Sequence, residues 1–459
     1  MASEEATSVT KIGSGWRSTL QRGAATIASA TAVSRVLGYG REFLMAQFFG
    51  TSMATDAWLM ASVLPNLLFG ALNGAVANLV VPLYVESRKS AQPGYSKAFL
   101  QEVFTLITVL ATAIGLGGFM EAPRLIHALA PGFSGPEYAL TVSMTRIMMP
   151  TVIFWLWAGL FSALLQALDF YAPPAWAPVV MNIVRITAIV TLSSIMGIRG
   201  VAWGFTAGVV SQVLILLVSL YRYRVPLQFR WSLNHPLTRR LMRLAVPVIV
   251  TSLTGAIGLI VDRIFASGLA TGTIAALNYS MLLVQLPLGL IVQPLVTPVF
   301  TRLSHLHSDG YVQDWQRLLR KSGLGIGLIA VSTAGVMFLF RNLIIHILYQ
   351  HGAFNQHSTT LTVGILPFFE VGLFPMALSQ LLTKSVLSLQ QTKFLPLLTL
   401  VSTSINVTAD ILLIHALQGR GLALGTSLAA YGYTAGLGVV LLRQRRGSAR
   451  PASRRASGE

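Results

Sequence analysis

NIVRITAIVTLSSIMGIRGVAWGFTAG at 182–208 and SINVTADILLIHALQGRGLALGTSLAA at 404–430 are two versions of one pattern. A second pair, LIHALAPGF at 125–133 and IIHILYQHGAF at 344–354, recurs at the same offset of about 220 residues. The chain is therefore built twice on one plan. Outward from these pairs, apolar runs long enough to cross a hydrocarbon core about 30 Å thick recur along the whole length. They divide into twelve spans near 24–49, 54–84, 98–121, 137–168, 174–197, 199–222, 241–268, 272–303, 318–340, 358–388, 393–416 and 420–442. Six plus six, each half starting and ending on the same side, is a parallel repeat about an axis along the membrane normal. Alternating-access transporters use this plan, with the substrate site between the halves. A pore gives no reason for such a repeat with asymmetric buried charge.

Composition agrees. Of 459 residues, 54% are hydrophobic and 10% charged, against about 25% charged in soluble domains, and mean hydropathy is +0.66. No separate soluble domain is visible, and the absence of cysteine excludes disulfides and thiolate metal sites. Residues 1–22 are polar and lack a secretory apolar region, so the first span is expected to be a retained helix.

A net charge of +18 raises nucleic acid as a partner, but the placement of the charge removes it. Lys and Arg gather in alternate loops: Lys11, Arg17 and Arg22, then Arg88, Lys89 and Lys97, then Arg222 to Arg243, then Arg302 to Lys321, and finally the tail RQRRGSARPASRR. The opposite loops hold little beyond Arg124, Arg199, Arg341 and Arg420. By the positive-inside rule both termini are cytoplasmic. The expected fold is an all-α membrane protein of about twelve transmembrane helices in two six-helix lobes with pseudo-twofold symmetry. Its expected parts are a cytoplasmic segment 1–23, an N-lobe 24–230, a C-lobe 231–443 and a basic tail 444–459. Pro65, Pro150, Pro287, Pro294, Pro367 and Pro375 lie in long spans and predict tilted or bent helices.

Charges inside these spans need a partner, a wet cavity or an escape to the interface, because one at the centre of a helix costs on the order of 2.5–3.5 kcal/mol. Arg35 and Arg41 in the first span lie about 120° apart around an ideal helix; Gly38 and Gly40 are where it could deform. Glu42 and Asp56 offset part of the charge, while Arg146 and Arg185 add to it. A cationic cavity with aromatic and apolar walls suits a lipid-linked anion, above all a pyrophosphate, to which Arg offers a planar fork of donors. Structural ion pairs or snorkelling side chains explain any one of these arginines equally well.

The second half reads differently. Asn406 and Asp410 are spaced i, i+4 and share a face; Asp262 lies in the seventh span, and Thr426 is four residues beyond Leu422. These oxygens could converge on a small hard cation, sodium or a proton. The alternative pairs Asp262 or Asp410 with Arg263 or Lys384, and spacing alone does not choose. His127, His346, His351 and His357 fall near span ends and read as solvated, and 305–321 reads as an interfacial helix or a plain loop. No Walker-type loop or zinc motif is present.

Several motifs, in order, carry a resemblance: SRVLGYGRE at 34–42, ATDAW at 54–58, PNLL at 65–68, RIMMP at 146–150, PPAWAPVVMN at 173–182, VDRIFAS at 261–267, LPLGL at 286–290, HGAF at 351–354 and GLALGTSLAA at 421–430. With them the chain resembles, over roughly residues 24–443, the MviN/MurJ family of lipid II flippases within the multidrug, oligosaccharidyl-lipid and polysaccharide exporters. The resemblance implies a transporter rather than an enzyme, one that moves an undecaprenyl-pyrophosphate-linked peptidoglycan precursor to the outer leaflet of the bacterial cytoplasmic membrane. It implies substrate contacts at Arg35, Arg41, Glu42 and Asp56, with Arg146 and Arg263 added as candidates by their charge. It also implies a sodium site at Asp262, Asn406, Asp410, Thr426 and the carbonyl of Leu422. No covalent cofactor is expected; membrane lipids and cell-wall synthesis enzymes are expected partners of a monomer. Two departures stand out: Phe69 and Gly70 follow PNLL, and Leu282 lies in YSMLLVQLP, where many members carry arginine. Another polyprenyl-linked saccharide, or a drug/cation antiport activity, therefore stays open.

Overall fold

The computed structural model describes the backbone of residues 2–225 and 227–448 and the side chains of 25–225 and 227–443. Most of the expected basic tail lies outside the described residues. Among those described, the secondary structure is helical throughout, as lipid requires of a chain that must satisfy its own backbone groups. Two compact units form: Met1–Met45 with Ala57–Ala128 and Ser134–Leu253, and Ala46–Asp56 with Leu129–Phe133 and Thr254–Glu459.

The first unit holds α1 (Ala2–Phe49, to Met45), α2 (Met53–Ala61, from Ala57), α3 (Val63–Arg88), α4 (Tyr95–Met120), α5 (Ala122–Leu129, to Ala128), α6 (Gly135–Met148), α7 (Thr151–Ala167), α8 (Ala172–Thr191), α9 (Ser193–Met196) and α10 (Ile198–Arg222). The segment before residue 24 continues α1 as helix, and α1 runs unbroken through Gly38 and Gly40; intrahelical bonding holds across a pair of glycines when nothing competes for it. Pro150 stands at the α6/α7 break, and Pro65 sits in the first turn of α3, where its missing N–H costs nothing.

Helix α7 is the centre of this unit. Trp155, Leu156, Leu160, Phe161 and Leu164 are buried, and α7 packs on α3, α4 and α10. Lipid offers little hydrophobic drive between helices, so close backbone approach has to supply the contact. On α10, Gly200 and Gly204 provide it: a Cβ on Gly204 would fall 2.3 Å from Ala188 Cβ, and one on Gly200 2.5 Å from Leu192 O.

After α10 the chain straps back onto α4. Gln101 Nε2 donates to Gln228 Oε1 at 2.8 Å, Arg230 N to Thr105 Oγ1 at 2.8 Å, and His235 N to the buried Glu102 Oε2 at 3.1 Å. The His235 ring packs on Tyr95 and Phe99, with centroids 4.2 and 5.4 Å away. Burial holds its imidazole below the ordinary histidine range, opposed in part by the Glu102 carboxylate.

The second unit holds α11 (Pro236–Ser267, from Thr254), α12 (Thr273–Pro287), α13 (Gln293–Ser308), α14 (Val312–Leu348), α15 (Gln356–Glu370), α16 (Leu373–Ser388), α17 (Leu395–Leu417) and α18 (Gly419–Ser448). A π-turn at 288–292 follows Pro287, and α15 and α16 meet at 46°. Residues 305–321 form no separate interfacial helix: α13 ends at Ser308 and α14 starts at Val312.

Segment 46–56 is woven into this unit. Ala353 N donates to Gln47 O at 2.7 Å, and Thr51 Oγ1 to Ser358 Oγ at 2.8 Å. Gly272 adopts φ +90°, and a Cβ there would meet Thr51 O at 2.4 Å, so glycine is needed both for the backbone angle and for the contact.

Among the described residues, ten helices can cross a membrane by length and composition, or eleven when the bent α15/α16 pair counts as one span. The repeat is physical as well as textual. Gly200 and Gly204 of α10 stand 221 residues before Gly421 and Gly425 of α18, and α18 closes on α17 through those glycines as α10 closes on α8.

Candidate functional site

In the first unit the chemistry gathers on α1 and α8. Arg41 is joined to Glu42 by an ion pair, with Nε 3.2 Å from Glu42 Oε1. Its Nη1 reaches Asn182 Oδ1 at 3.5 Å. Asn182 is 5% exposed, and its Nδ2 donates to Ser34 O and Oγ, each at 3.2 Å. One amide thus orients α1 against α8.

One turn further along α8, Arg185 is 7% exposed, with its guanidinium carbon 4.0 Å from the Phe205 ring centroid. Its Nε and Nη2 are buried without a hydrogen-bond partner. Phe205 is in turn edge-on to Trp58 and Trp155, and Phe69 packs on Trp155 at 4.4 Å. Phe69, at a position where resemblance leads one to expect charge, is part of an aromatic bed beneath Arg185. Gly208 makes the room, because a Cβ there would fall 2.7 Å from Arg185 Cγ.

Not every residue singled out in the sequence joins this cluster. Arg35 is exposed. Arg146 is also exposed and leans on Phe119, 5.7 Å from its ring. Asp56 lies in the second unit, 2% exposed, where its carboxylate accepts from Gly272 N and, at 2.7 Å, from Ala275 N. It caps α12, a carboxylate meeting the positive end of a helix. Sequence proximity grouped it with Arg41; the fold gives its oxygens to backbone amides.

The second unit contains a cavity of about 650 Å³ whose wall includes Asp262, Arg263, Asn406, Leu422 and Thr426. Asn406 Nδ2 donates to Asp410 Oδ2 at 3.3 Å, and Thr426 Oγ1 to Leu422 O at 3.1 Å. Asp262 adjoins both Asp410 and Asn406, yet Asp262 Oδ1 and Asp410 Oδ1 are buried without a partner. Two glycines shape the place: a Cβ on Gly258 would meet Asn406 Oδ1 at 3.2 Å, and one on Gly425 would meet Asp410 Oδ1 at 2.3 Å. Two carboxylates with orphaned oxygens, an amide, a hydroxyl and a carbonyl form a donor set that fits a small hard cation. Of the cations offered as alternative partners, Lys384 lies over the Phe300 ring and Arg263 lines the same cavity.

Sequence reasoning placed Asp262, Asn406, Asp410, Leu422 and Thr426 as a group, and the fold brings them together. It passed over Asn182, and it left Arg185 as one of several spare charges. Their i, i+3 spacing on α8 is the signal that could have joined them.

The profile of the family described as "Lipid II flippase MurJ" matches residues 45–454. The chain belongs to that family. Probable lipid II flippases MurJ from Buchnera aphidicola subsp. Acyrthosiphon pisum (strain APS) and Rhizobium tropici are 29% and 28% identical, covering 88% and 91% of this chain and 80% of each relative. The lipid II flippase MurJ of Burkholderia cenocepacia is 29% identical over 82% of this chain and 74% of its own. Among solved structures, a lipid II flippase MurJ in an inward closed conformation superposes with a TM-score of 0.79 at 24% identity, covering 90% of this chain and 87% of that one. An inward-facing MATE-family multidrug resistance transporter gives 0.75 at 12% identity, over 91% and 96%. These two likenesses show a shared fold. A MurJ-family chain with ten or more apolar spanning helices is a multi-pass membrane protein.

Proposed function

We infer that this chain is a lipid II flippase of the bacterial cytoplasmic membrane, carrying the polyprenyl-diphosphate-linked peptidoglycan precursor from the inner to the outer leaflet. The observation that carries this reading is the family match over residues 45–454, with relatives named for that activity along four fifths of their length. It is a transporter and makes no covalent change to its cargo. Counting α1 as a span in spite of Arg35, Arg41 and Glu42, and α15/α16 as one, gives twelve, with both termini on the cytoplasmic side as the Lys and Arg distribution requires.

In this reading Arg41 is the headgroup's first partner. Its ion pair with Glu42 and its contact with Asn182 support this, because they hold the guanidinium in a fixed place between α1 and α8. A diphosphate competes with Glu42 for that guanidinium and wins by its greater charge and its bidentate oxygens. The prenyl tail stays in lipid. Asp262, Asn406, Asp410, Thr426 and the Leu422 carbonyl would hold sodium, which would neutralise paired carboxylates; their unpartnered oxygens support that assignment. The ion drives a change of state only through a difference in affinity between the states. The capping of α12 by Asp56 is a bond set that any movement of segment 46–56 must break.

Replacing the resident flippase of a bacterial host by this chain tests the reading. Continued peptidoglycan synthesis without lysis is the expected result, and lysis on depletion contradicts it. One observation favours a second cargo, a different polyprenyl-linked saccharide: Phe69 packs on Trp155, and Leu282 is a further apolar side chain where the family resemblance leads one to expect arginine. Lysis of that host, with return of a surface polymer in a second host that lacks only that polymer's flippase, would select that alternative.

A further inference from the structure

Glu370 closes α15, at the elbow where the chain turns into α16. Its side chain is buried, the residue being 4% exposed, and neither carboxyl oxygen has a hydrogen-bond partner among the described residues. An ionised carboxylate left this way loses its water and gains nothing in return, whereas the neutral acid is tolerated far better.

The helices packed on α15 are α12, α14, α16 and α18, and none of them supplies a bonding partner. From α14, Arg341 is close enough to act on Glu370 through its charge. Its Nη1, however, donates to Phe338 O at 2.9 Å, its guanidinium rests on the Phe338 ring, and its Nε is itself buried and unpartnered. From α18, Arg420 lies against Gly364, six residues earlier on α15. From α12, the Tyr279 hydroxyl points to Gly50 O, and from α16, Lys384 lies over Phe300.

The elbow is tied to the cation cavity. Ser427 Oγ donates to Phe368 O at 2.6 Å, and a Cβ on Gly372 would fall 2.5 Å from Ser427 Oγ. Phe369, beside Glu370, and Thr426, beside Ser427, both line the cavity. A rearrangement at Glu370 therefore moves a wall of that cavity.

We propose that Glu370 is a proton-binding site, separate from the Asp262/Asp410 cation site, and that loading it sets the α15/α16 elbow. A proton from water adds to the carboxylate to give the neutral acid, and no other bond is made or broken. In the arrangement described here the acid is loaded; on release the anion requires a new partner, and the free Nε of Arg341 or entering water supplies one only if the elbow moves. This goes beyond the transport reading and does not depend on the identity of the cargo.

Infrared difference spectra between alkaline and acidic buffer, taken on the purified chain in lipid nanodiscs without substrate, test it. The wild type should show the carbonyl band of a protonated, weakly hydrogen-bonded carboxyl that is missing in Glu370→Gln and kept in Asp410→Asn. Superimposable spectra for the wild type and E370Q, or loss of the band in D410N, would overturn the proposal. Glu370→Asp is the second variant: it should retain a shifted band, and its failure to do so counts against the site even if E370Q does not fold. Lipid II translocation is not read in this experiment, so an error in the cargo leaves its outcome unchanged.

Discussion

Asp410 Oδ1 lies where a side chain at position 425 would have to go: a Cβ on Gly425 would stand 2.3 Å from it and 3.4 Å from Asn406 Nδ2. A close contact between α17 and α18 thus falls on the residues proposed to hold the cation. Gly425→Ala should push Asp410 aside, at a cost of about 1–3 kcal/mol for overpacking a fitted contact. Thermal unfolding in detergent, with and without sodium, checks it: the wild type gains stability from sodium and G425A does not. Gly438→Ala, with nothing within 4 Å of the new Cβ, should behave as wild type.

Asp56 gives a second prediction. Its carboxylate takes two amides at the start of α12 and is 2% exposed. Asp56→Asn keeps an acceptor but loses the charge facing the helix end, and Asp56→Ala loses both. The expected destabilisation is about 0.5–2 kcal/mol for the alanine variant and less for asparagine. The order of the two melting temperatures is the check, and equal values would show that the cap contributes nothing.

The strap over α4 should respond to pH. The imidazole of His235 is held below its unfolded value, near about 6.5, so the folded state prefers it neutral. The stability it contributes is complete above that unfolded value and is lost as pH falls toward and through the lower folded one. Glu102 and Arg230 face the same ring and act in opposite directions. Protection of residues 227–235 against hydrogen exchange, with the intrinsic pH dependence of amide exchange divided out, should therefore fall as the buffer is acidified through this window. His235→Phe, which keeps the packing on Tyr95 and Phe99, should remove that dependence.

Arg185 supplies a fourth prediction. Lysine at 185 keeps a charge but loses the flat face that lies on Phe205 at 4.0 Å. Arg185→Lys should lower translocation several-fold with the fold intact by circular dichroism, and Phe205→Leu should give a similar loss. Unchanged rates in both would reduce the aromatic bed to packing.

The sequence made the helices legible because lipid forces each apolar stretch to satisfy its own backbone, and the repeat was legible as text, while the packing of α8 on α10 and of α17 on α18 is seen only in the fold. That Asn406 and Asp410 share a face could be read because i, i+4 spacing on one helix is itself geometry, while spacing left their partner open and only the family resemblance named sodium. What the sequence hid is what needs two helices at once. Asp56 stands 15 residues from Arg41, yet it belongs with Gly272, more than 200 residues away. Glu370 is a single acid in LPFFEVG, and only its burial distinguishes it from an interfacial carboxylate. The Gly38/Gly40 pair marked a place where α1 could deform, and the helix is continuous across it, since glycine permits a bend without breaking the hydrogen-bonded run.

The central claim is that the Arg41 guanidinium on α1, backed by the buried Arg185 of α8, meets the diphosphate of lipid II, and one measurement reaches it directly. Labelled lipid II is followed from the inner to the outer leaflet of liposomes containing the purified chain, either wild type or with Arg41→Ala and Arg185→Gln combined. The account predicts transport by the wild type and a loss of tenfold or more in the double variant, equivalent to about 1.4 kcal/mol or more of lost stabilisation, with protein incorporation equal. Transport by the double variant at the wild-type rate would contradict it.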